Sequence, residues 1–450
     1  MRRREVLKAA AVGTGLWAAG PCALSANEPA ATGEETDVLV IGGGTAGTIA
    51  AIQAGRTGVR TMLVEMGGQL GGTTTTGGVS FPGLFHAWGK QIIAGIGWEL
   101  VQQAVALDSG TLPDFTAAAP PGKHWQQQVR VNGPLYAALA EEAVLAAGVQ
   151  LGYYEFPLAV ERTSSGWRAD LAGKGQRRRV RCRQLIDCTG GADVVGLLGL
   201  ARLREETTQP GTMMFELDNY DVKQLDARLI QRRYEEALRA GRLKPGDYAK
   251  PHGQFIHLLA SKGANAQHVF GADSSTSATK TRANIAGRSS VLRLLRFIRT
   301  LPGCERARLA RMMTETAVRE TYRIVGETLI TVADYTSGRR FDDAVCHAFY
   351  PVDLHDEQGV KPEPLKPGTV PTIPLRALVP KSSHNLLVAG RSVSSDRLAN
   401  SALRVQASCM AMGQAAGAAA ALAVQSPCEP RDVPLRKLKD LLVQHGAIVP

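Results

Sequence analysis

Tyr350-Pro351-Val352-Asp353-Leu354-His355 alternates apolar and polar residues, which places Asp353 and His355 on one face of an extended segment. An imidazole beside a carboxylate can give or take a proton near neutral pH, and the same pair also serves as a structural hydrogen bond. His86 is a second ring, close after a run of four threonines. It suits a hydrogen bond to a bound molecule or a covalent link, although no attachment motif surrounds it. Arg404 falls in the first turn of a predicted helix, Leu403 to Ala423, as a ligand contact or as a surface charge. Arg319, Arg323 and Arg376 lie in further charged blocks. These blocks either tie elements together or help bind a polar or anionic molecule. The chemistry in reach is proton transfer beside positive charge.

Such residues need a frame, and Asp37 to Glu65 supplies one. Val38 to Ile41 is an apolar run of strand length, Gly42-x-Gly44-x-x-Gly47 follows at once, and a small-residue helical run occupies Thr48 to Ala54. Met62-Leu63-Val64 then ends on Glu65. This is a strand–turn–helix–strand unit with the dinucleotide fingerprint where it has meaning. Gly42 permits the tight turn, Gly44 lets a pyrophosphate approach the backbone, and Gly47 lets helix and strand pack closely. Free amides at the helix start, near Thr45 and Ala46, face the phosphates. Glu65 can accept both ribose hydroxyls. The glycine-dense loop through Gly71, Gly72 and Thr73 is no helix or stable strand. It reads as backbone used at close range.

Further along, Leu135 to Ala147 is an amphipathic helix ended by Gly148, and strands are expected at 149–156, 158–162, 167–171 and 178–186. From Met213 to about Tyr350 the β–α rhythm breaks, with charged helices near Leu229 to Ala240 and Ser290 to Thr300 and a loop near Gly271 to Thr281. Leu386 to Ala389 returns as a buried strand ending at Gly390-Arg391. Leu403 to Ala423 is long enough to span a membrane, but Arg404, Gln406 and Gln414 interrupt it. A buried helix against the sheet is the better reading, so no stable membrane anchor is expected.

Arg3-Arg4-Glu5-Val6-Leu7-Lys8 matches the twin-arginine export consensus, and a short, weakly hydrophobic run and small residues near Ala23 to Ala26 follow. Residues 1–26 are therefore expected to be a signal peptide, with the twin-arginine machinery as partner and a periplasmic or secreted destination. That route moves folded proteins, which suits one that loads a cofactor first. The formal charge of +11 falls to +8 without residues 1–25. Arg177, Arg178, Arg179, Arg181 and Arg183 read as the solvated face of a strand. With no stacking aromatics, nucleic acid is not an expected partner. The cysteines beyond Cys22 show no CxxC or metal spacing; buried free thiols and no metal are expected.

These blocks, in this order, resemble the FAD-dependent oxidoreductases of the two-dinucleotide-binding (glutathione-reductase-like) clan, related to fumarate-reductase flavoproteins. The resemblance runs from about Asp37 to Ala423 and includes LIDCTGGADV, NLLVAGR and NSALRVQASCMAMGQAAG. It implies FAD as cofactor and an α/β fold. A Rossmann-like FAD-binding domain would be assembled from 37–212 and 385–425, with an inserted α+β substrate domain at 213–384 and a tail at 426–450. It also implies FAD contacts at Thr189, Gly190, Asp193, Gly390, Arg391, Arg404 and Val405, with the last long helix aimed at the flavin ring. One departure is Gly191, which stands where the family usually has an acid. The implied activity is hydride transfer between flavin and a small polar molecule, anionic or sugar-like, with an external electron acceptor. Two alternatives remain: a C=C reductase fed by an electron-transfer partner, or a flavin-binding protein without catalysis.

Overall fold

In the computed structural model, which describes residues 32–116, 120, 123–250, 253–360 and 362–450, the fingerprint unit forms as expected. Strand β1 (Thr32–Ile41) leads into helix α1 (Thr45–Arg56), and β2 (Thr61–Glu65) returns beside β1 in parallel. The sheet continues with β3 (Gln150–Tyr153), β4 (Glu155–Thr163), β5 (Gly166–Gly173) and β6 (Gln176–Asp187), in the order β3-β2-β1-β6-β5-β4. A short strand, β7 (Leu386–Val388), pairs in parallel with the end of β6. Val40 lies between Leu63 and Ile186, and Val388 pairs with Asp187. The carboxyl ends of β1, β2, β6 and β7 therefore share one edge, where α/β sheets bind ligands. Gly42, Glu65, Asp187 and Gly390 all stand there. The fold is mixed α/β around a parallel sheet, as expected. The proposed export signal lies outside the described residues.

The arginine-rich strand is β6, and Arg177, Arg179 and Arg181 are exposed as expected. Arg178 departs from that pattern. It turns inward and pairs with Glu34 at 2.6 Å and Glu155 at 2.9 Å.

The inserted part has a hydrophobic core of its own running from Met213 to Ala307. Tyr234 stacks on Phe255 with centroids 4.7 Å apart. Helix α2 (Ala227–Arg239) is capped by Asp226, and α3 (Ser277–Ile298) by the Thr276/Thr279 capping box. That box starts α3 inside the segment expected to be a loop. Ile330, Tyr335, Val345, Ile373 and Leu378 pack in the same core as β1 and α1, because their apolar faces return to the sheet's helical layer.

After β7 come α4 (Arg397–Leu403), α5 (Gln406–Gln425) and α6 (Leu435–Gln444). The small-residue segment is interrupted at Val405, which is extended (φ −65°, ψ 141°). Arg404 consequently caps the end of α4 instead of opening α5. Helix α5 is buried against α1. A Cβ on Gly413 would meet the Ala46 carbonyl at 2.2 Å, and one on Gly417 the Ala50 carbonyl at 2.3 Å. The backbones touch, which only glycine allows. The final segment is docked: Leu438 and Leu442 are buried, and His445 Nδ1 lies 2.6 Å from Gln53 Nε2. Of the six cysteines beyond residue 31, all are free, and only Cys428 is less than buried.

Candidate active site

The three fingerprint glycines do different work. Gly42 has φ +99°, and a Cβ on it would meet the Cys188 carbonyl oxygen at 2.6 Å. A Cβ on Gly47 would lie 1.8 Å from the Gly42 oxygen and 2.9 Å from the Cys188 side chain. By contrast, a Cβ on Gly44 would meet nothing within 4 Å, so the chain leaves open space there. Helix α1 has no side-chain cap and no acid in its first turn. Its leading amides, at Thr45 and Ala46, are therefore free to bind an anion. Glu65 accepts from the Gly43 and Gly67 amides at 2.7 Å each. Burial pushes its carboxyl above the usual range, and each oxygen keeps a further lone pair for a hydroxyl. The Gly71 amide donates to the Gly43 carbonyl, and Thr45 Oγ1 donates to the Gly71 carbonyl. These bonds pin the glycine loop, with Gly72 and Thr73, over the turn.

At the end of β6, Asp187 accepts from the Thr189 amide and hydroxyl and from the Val195 amide. Thr189 Oγ1 in turn accepts from the Asp193 amide at 2.9 Å. The departure at Gly191 has a local explanation. A Cβ there would lie 2.5 Å from Asp193 Oδ1, so the Asp193 carboxylate occupies the space an acid at 191 would need. Burial, then the Asp187 charge, pushes Asp193 up to about 6. Beyond Gly390, Arg391 donates to the Gly190 carbonyl at 2.7 Å and to the Val318 carbonyl at 2.9 Å. It thereby ties this edge to the inserted part.

A cavity of about 230 Å³ opens beside this edge, with Thr73, Arg319, Asp353, His355, Arg404 and Gln406 among its lining residues. Arg404 Nη2 donates to the Asp353 carbonyl at 3.1 Å and to the Gln209 side chain at 3.3 Å, and lies 3.4 Å from Asp353 Oδ2. His355 Nε2 is 3.2 Å from Asp353 Oδ2. Its Nδ1 is 2.9 Å from His268 Nε2. Burial opposes ionisation of Asp353, but the His355 hydrogen bond and the Arg404 and Arg319 charges outweigh it and hold the carboxyl at about 2. Burial, then Arg319, lowers His355 to about 4, and burial lowers His268 to about 3. Both rings are therefore neutral at neutral pH. Arg319 is lowered to about 9 by burial and then by Arg404, and it remains a cation at pH 7. Three guanidiniums, Arg319, Arg391 and Arg404, line the cavity against the one carboxylate of Asp353 and leave a surplus of positive charge. Arg404 Nε and Gln209 Nε2 are buried without a hydrogen-bond partner, a cost that a bound polar molecule would relieve.

Asp353 and His355 meet, but the strand that was expected to align them is only His355–Asp356. The preceding residues are irregular, with the Tyr350 amide donating to the Tyr335 hydroxyl. His86 does not line this cavity. Its ring stacks on Phe115 at 3.7 Å, edge-on to Trp98, its Nδ1 is buried without a partner, and burial lowers it to about 4. Among the four arginines, Arg319 and Arg404 reach the cavity. Arg323 is buried between Glu205 and Glu320, and Arg376 pairs with Asp343 at the surface. The sequence reasoning missed Gln209, Asn265 and His268. All three sit in irregular stretches, Gln209 just before the inserted part and Asn265 and His268 within it, where no periodicity marks a site.

An FAD-binding edge with an adjoining cationic cavity defines a flavoenzyme. The chain belongs to the FAD dependent oxidoreductase family, whose profile matches residues 37–442. It is an FAD-dependent oxidoreductase. No curated protein matches it. Among solved structures it is similar to a geranylgeranyl bacteriochlorophyll reductase-like protein from Thermoplasma acidophilum, at 14% identity and TM-score 0.41, covering 92% of this chain and 85% of that one. It is also similar to the OxyS anhydrotetracycline hydroxylase from Streptomyces rimosus, at 18% identity and TM-score 0.29, covering 40% of this chain and 38% of that one. A third is the flavin-dependent monooxygenase PieE in complex with FAD and substrate, at 21% identity and TM-score 0.29, covering 41% and 35%. The chain thus spans well under half of the hydroxylase and monooxygenase structures.

The residues fit FAD. The open side of Gly44 and the uncapped start of α1 would take the pyrophosphate, and Glu65 the ribose. The start of α5 at Val405 likewise lacks a side-chain cap and would favour negative charge on the ring. Bound FAD supplies two-electron exchange with a substrate.

Proposed function

We propose that this protein is an exported FAD-dependent oxidoreductase of the dehydrogenase or oxidase type, acting on a small polar molecule that carries an anionic group. The observation behind this reading is the cavity charge: Arg319, Arg391 and Arg404 line it against a single carboxylate, Asp353. In this reading the guanidiniums orient the substrate's anion, and the His355–Asp353 pair handles the proton that accompanies hydride transfer. An unidentified electron acceptor completes the cycle. Export through the twin-arginine route rests on Arg3-Arg4-Glu5-Val6-Leu7-Lys8, and replacing both arginines by lysine should leave flavin-loaded protein in the cytoplasm.

A second reading, reduction of a C=C bond with electrons from a partner, has one observation in its favour. Asp353 is ionised and can only accept, so His355 Nε2 donates to it, while Nδ1 is engaged by His268. At rest, His355 holds a proton to give and has no free lone pair. Anaerobic mixing separates the readings. Bleaching of the oxidised holoenzyme by hydroxy acids, sugar acids or amino acids supports the first. Reoxidation of dithionite-reduced enzyme by unsaturated acids, with no bleaching by the saturated set, supports the second. Inertness to both sets would overturn the anionic-substrate assignment.

A further inference from the structure

We propose that His268 and His355 form a two-ring proton relay leading out of the cavity, with His268 the positioning residue that resupplies His355. The inference rests on the cavity being the substrate site. His355 is among the cavity-lining residues, whereas His268 stands behind it, 87 residues earlier in the chain and in the inserted part.

The donor count fixes where the protons are. Asp353 accepts from Arg404 and His355 through Oδ2, so His355 Nε2 carries hydrogen. A neutral His355 then offers only a lone pair at Nδ1, and His268 Nε2, 2.9 Å away, must donate. Each neutral ring then holds its proton on Nε2. In one turnover the His355 Nε2–H bond breaks and a bond from that hydrogen to the bound molecule forms. The His268 Nε2 proton moves to His355 Nδ1, and His268 Nδ1 takes a replacement from water. One proton has then passed from water to the bound molecule, and no electrons have moved between the rings. Both rings finish with hydrogen on Nδ1, the arrangement that accepts a proton in the reverse reaction.

The surroundings keep the extra proton transient. Arg319 opposes a charge on both rings and Arg404 on His355, while Asp353 favours a proton on His355 and the Asp356 side chain and backbone favour one on His268. The pair can pass a proton without storing one.

The test uses holoenzyme with 15N-labelled histidine and needs no substrate, so its outcome is separate from the anionic-substrate reading. Wild type should show His355 protonated at Nε2 at neutral pH, with scalar coupling across the His268 Nε2–H···Nδ1 bond. His268→Gln keeps a donor amide at this place but cannot relay. It should retain FAD absorbance and the His355 tautomer while slowing solvent exchange of the Nε2 proton about tenfold or more. Unchanged exchange in His268→Gln overturns the relay, and so does an Nδ1–H tautomer of His355 in wild type. If His268→Gln loses FAD, His268→Asn provides the same comparison.

Discussion

Alanine at Gly47 and valine at Gly44 should fail for opposite reasons, and the contrast tests the cofactor cradle. A Cβ on Gly47 would lie 1.8 Å from the Gly42 carbonyl oxygen. Both partners are backbone, so no rotamer change relieves the clash and the turn between β1 and α1 must move. Overpacking of this kind costs about 3 kcal/mol or more, read as a lower denaturation midpoint of the apoprotein. A Cβ on Gly44 meets nothing within 4 Å, so Gly44→Val should leave the apoprotein within about 1 kcal/mol of wild type. It should nonetheless come out colourless, because the added side chain enters the space left for the pyrophosphate. Chemical denaturation of apoprotein and absorbance of the purified variants give both quantities. A yellow Gly44→Val with one FAD per chain would refute the reasoning, and so would a Gly47→Ala apoprotein as stable as wild type.

Glu65→Ala should weaken FAD more than FMN, which has no adenosine ribose; equal losses by fluorescence titration would make Glu65 purely structural. Arg178→Ala leaves Glu155, whose side chain is 3% exposed, buried without its cation, and should cost about 3–5 kcal/mol in denaturant unfolding. His86→Phe should flatten the acid dependence of stability. A ring lowered to about 4 in the folded state takes a proton first in the unfolded chain, so its contribution is full above pH 6.5 and falls as pH drops from there toward 4. The variant should therefore gain about 1–3 kcal/mol on wild type at pH 4.5 relative to pH 7.5, and parallel pH profiles would contradict this. His355→Ala should keep FAD but slow flavin bleaching by substrate on the order of 10²-fold in stopped flow.

The cofactor edge was legible in the sequence because local constraints define it. Three glycines, a strand before them and an acid at the end of the next strand each answer to a backbone requirement at fixed spacing. The break at Arg404 was not legible. Leu403 to Ala423 is uniformly small and apolar, and nothing local marks Val405 as extended. Arg404 reaches Asp353 only because the chain restarts there. Pairing of His355 with His268 depends on tertiary docking of the inserted part, which no periodicity records. The packing of His86 was not legible for a similar reason: its neighbours Trp98 and Phe115 come from later segments.

The most direct test of the central claim compares a bleaching hydroxy or amino acid with its carboxamide under anaerobic conditions, in wild type and in Arg404→Gln. The account predicts that wild-type flavin is reduced by the acid at least about 100-fold more efficiently, in kcat/KM, than by the amide, a charge-assisted contact of about 3 kcal/mol. Arg404→Gln should retain FAD and lose most of that preference. Equal use of acid and amide by wild type, or an undiminished preference in Arg404→Gln, would contradict it.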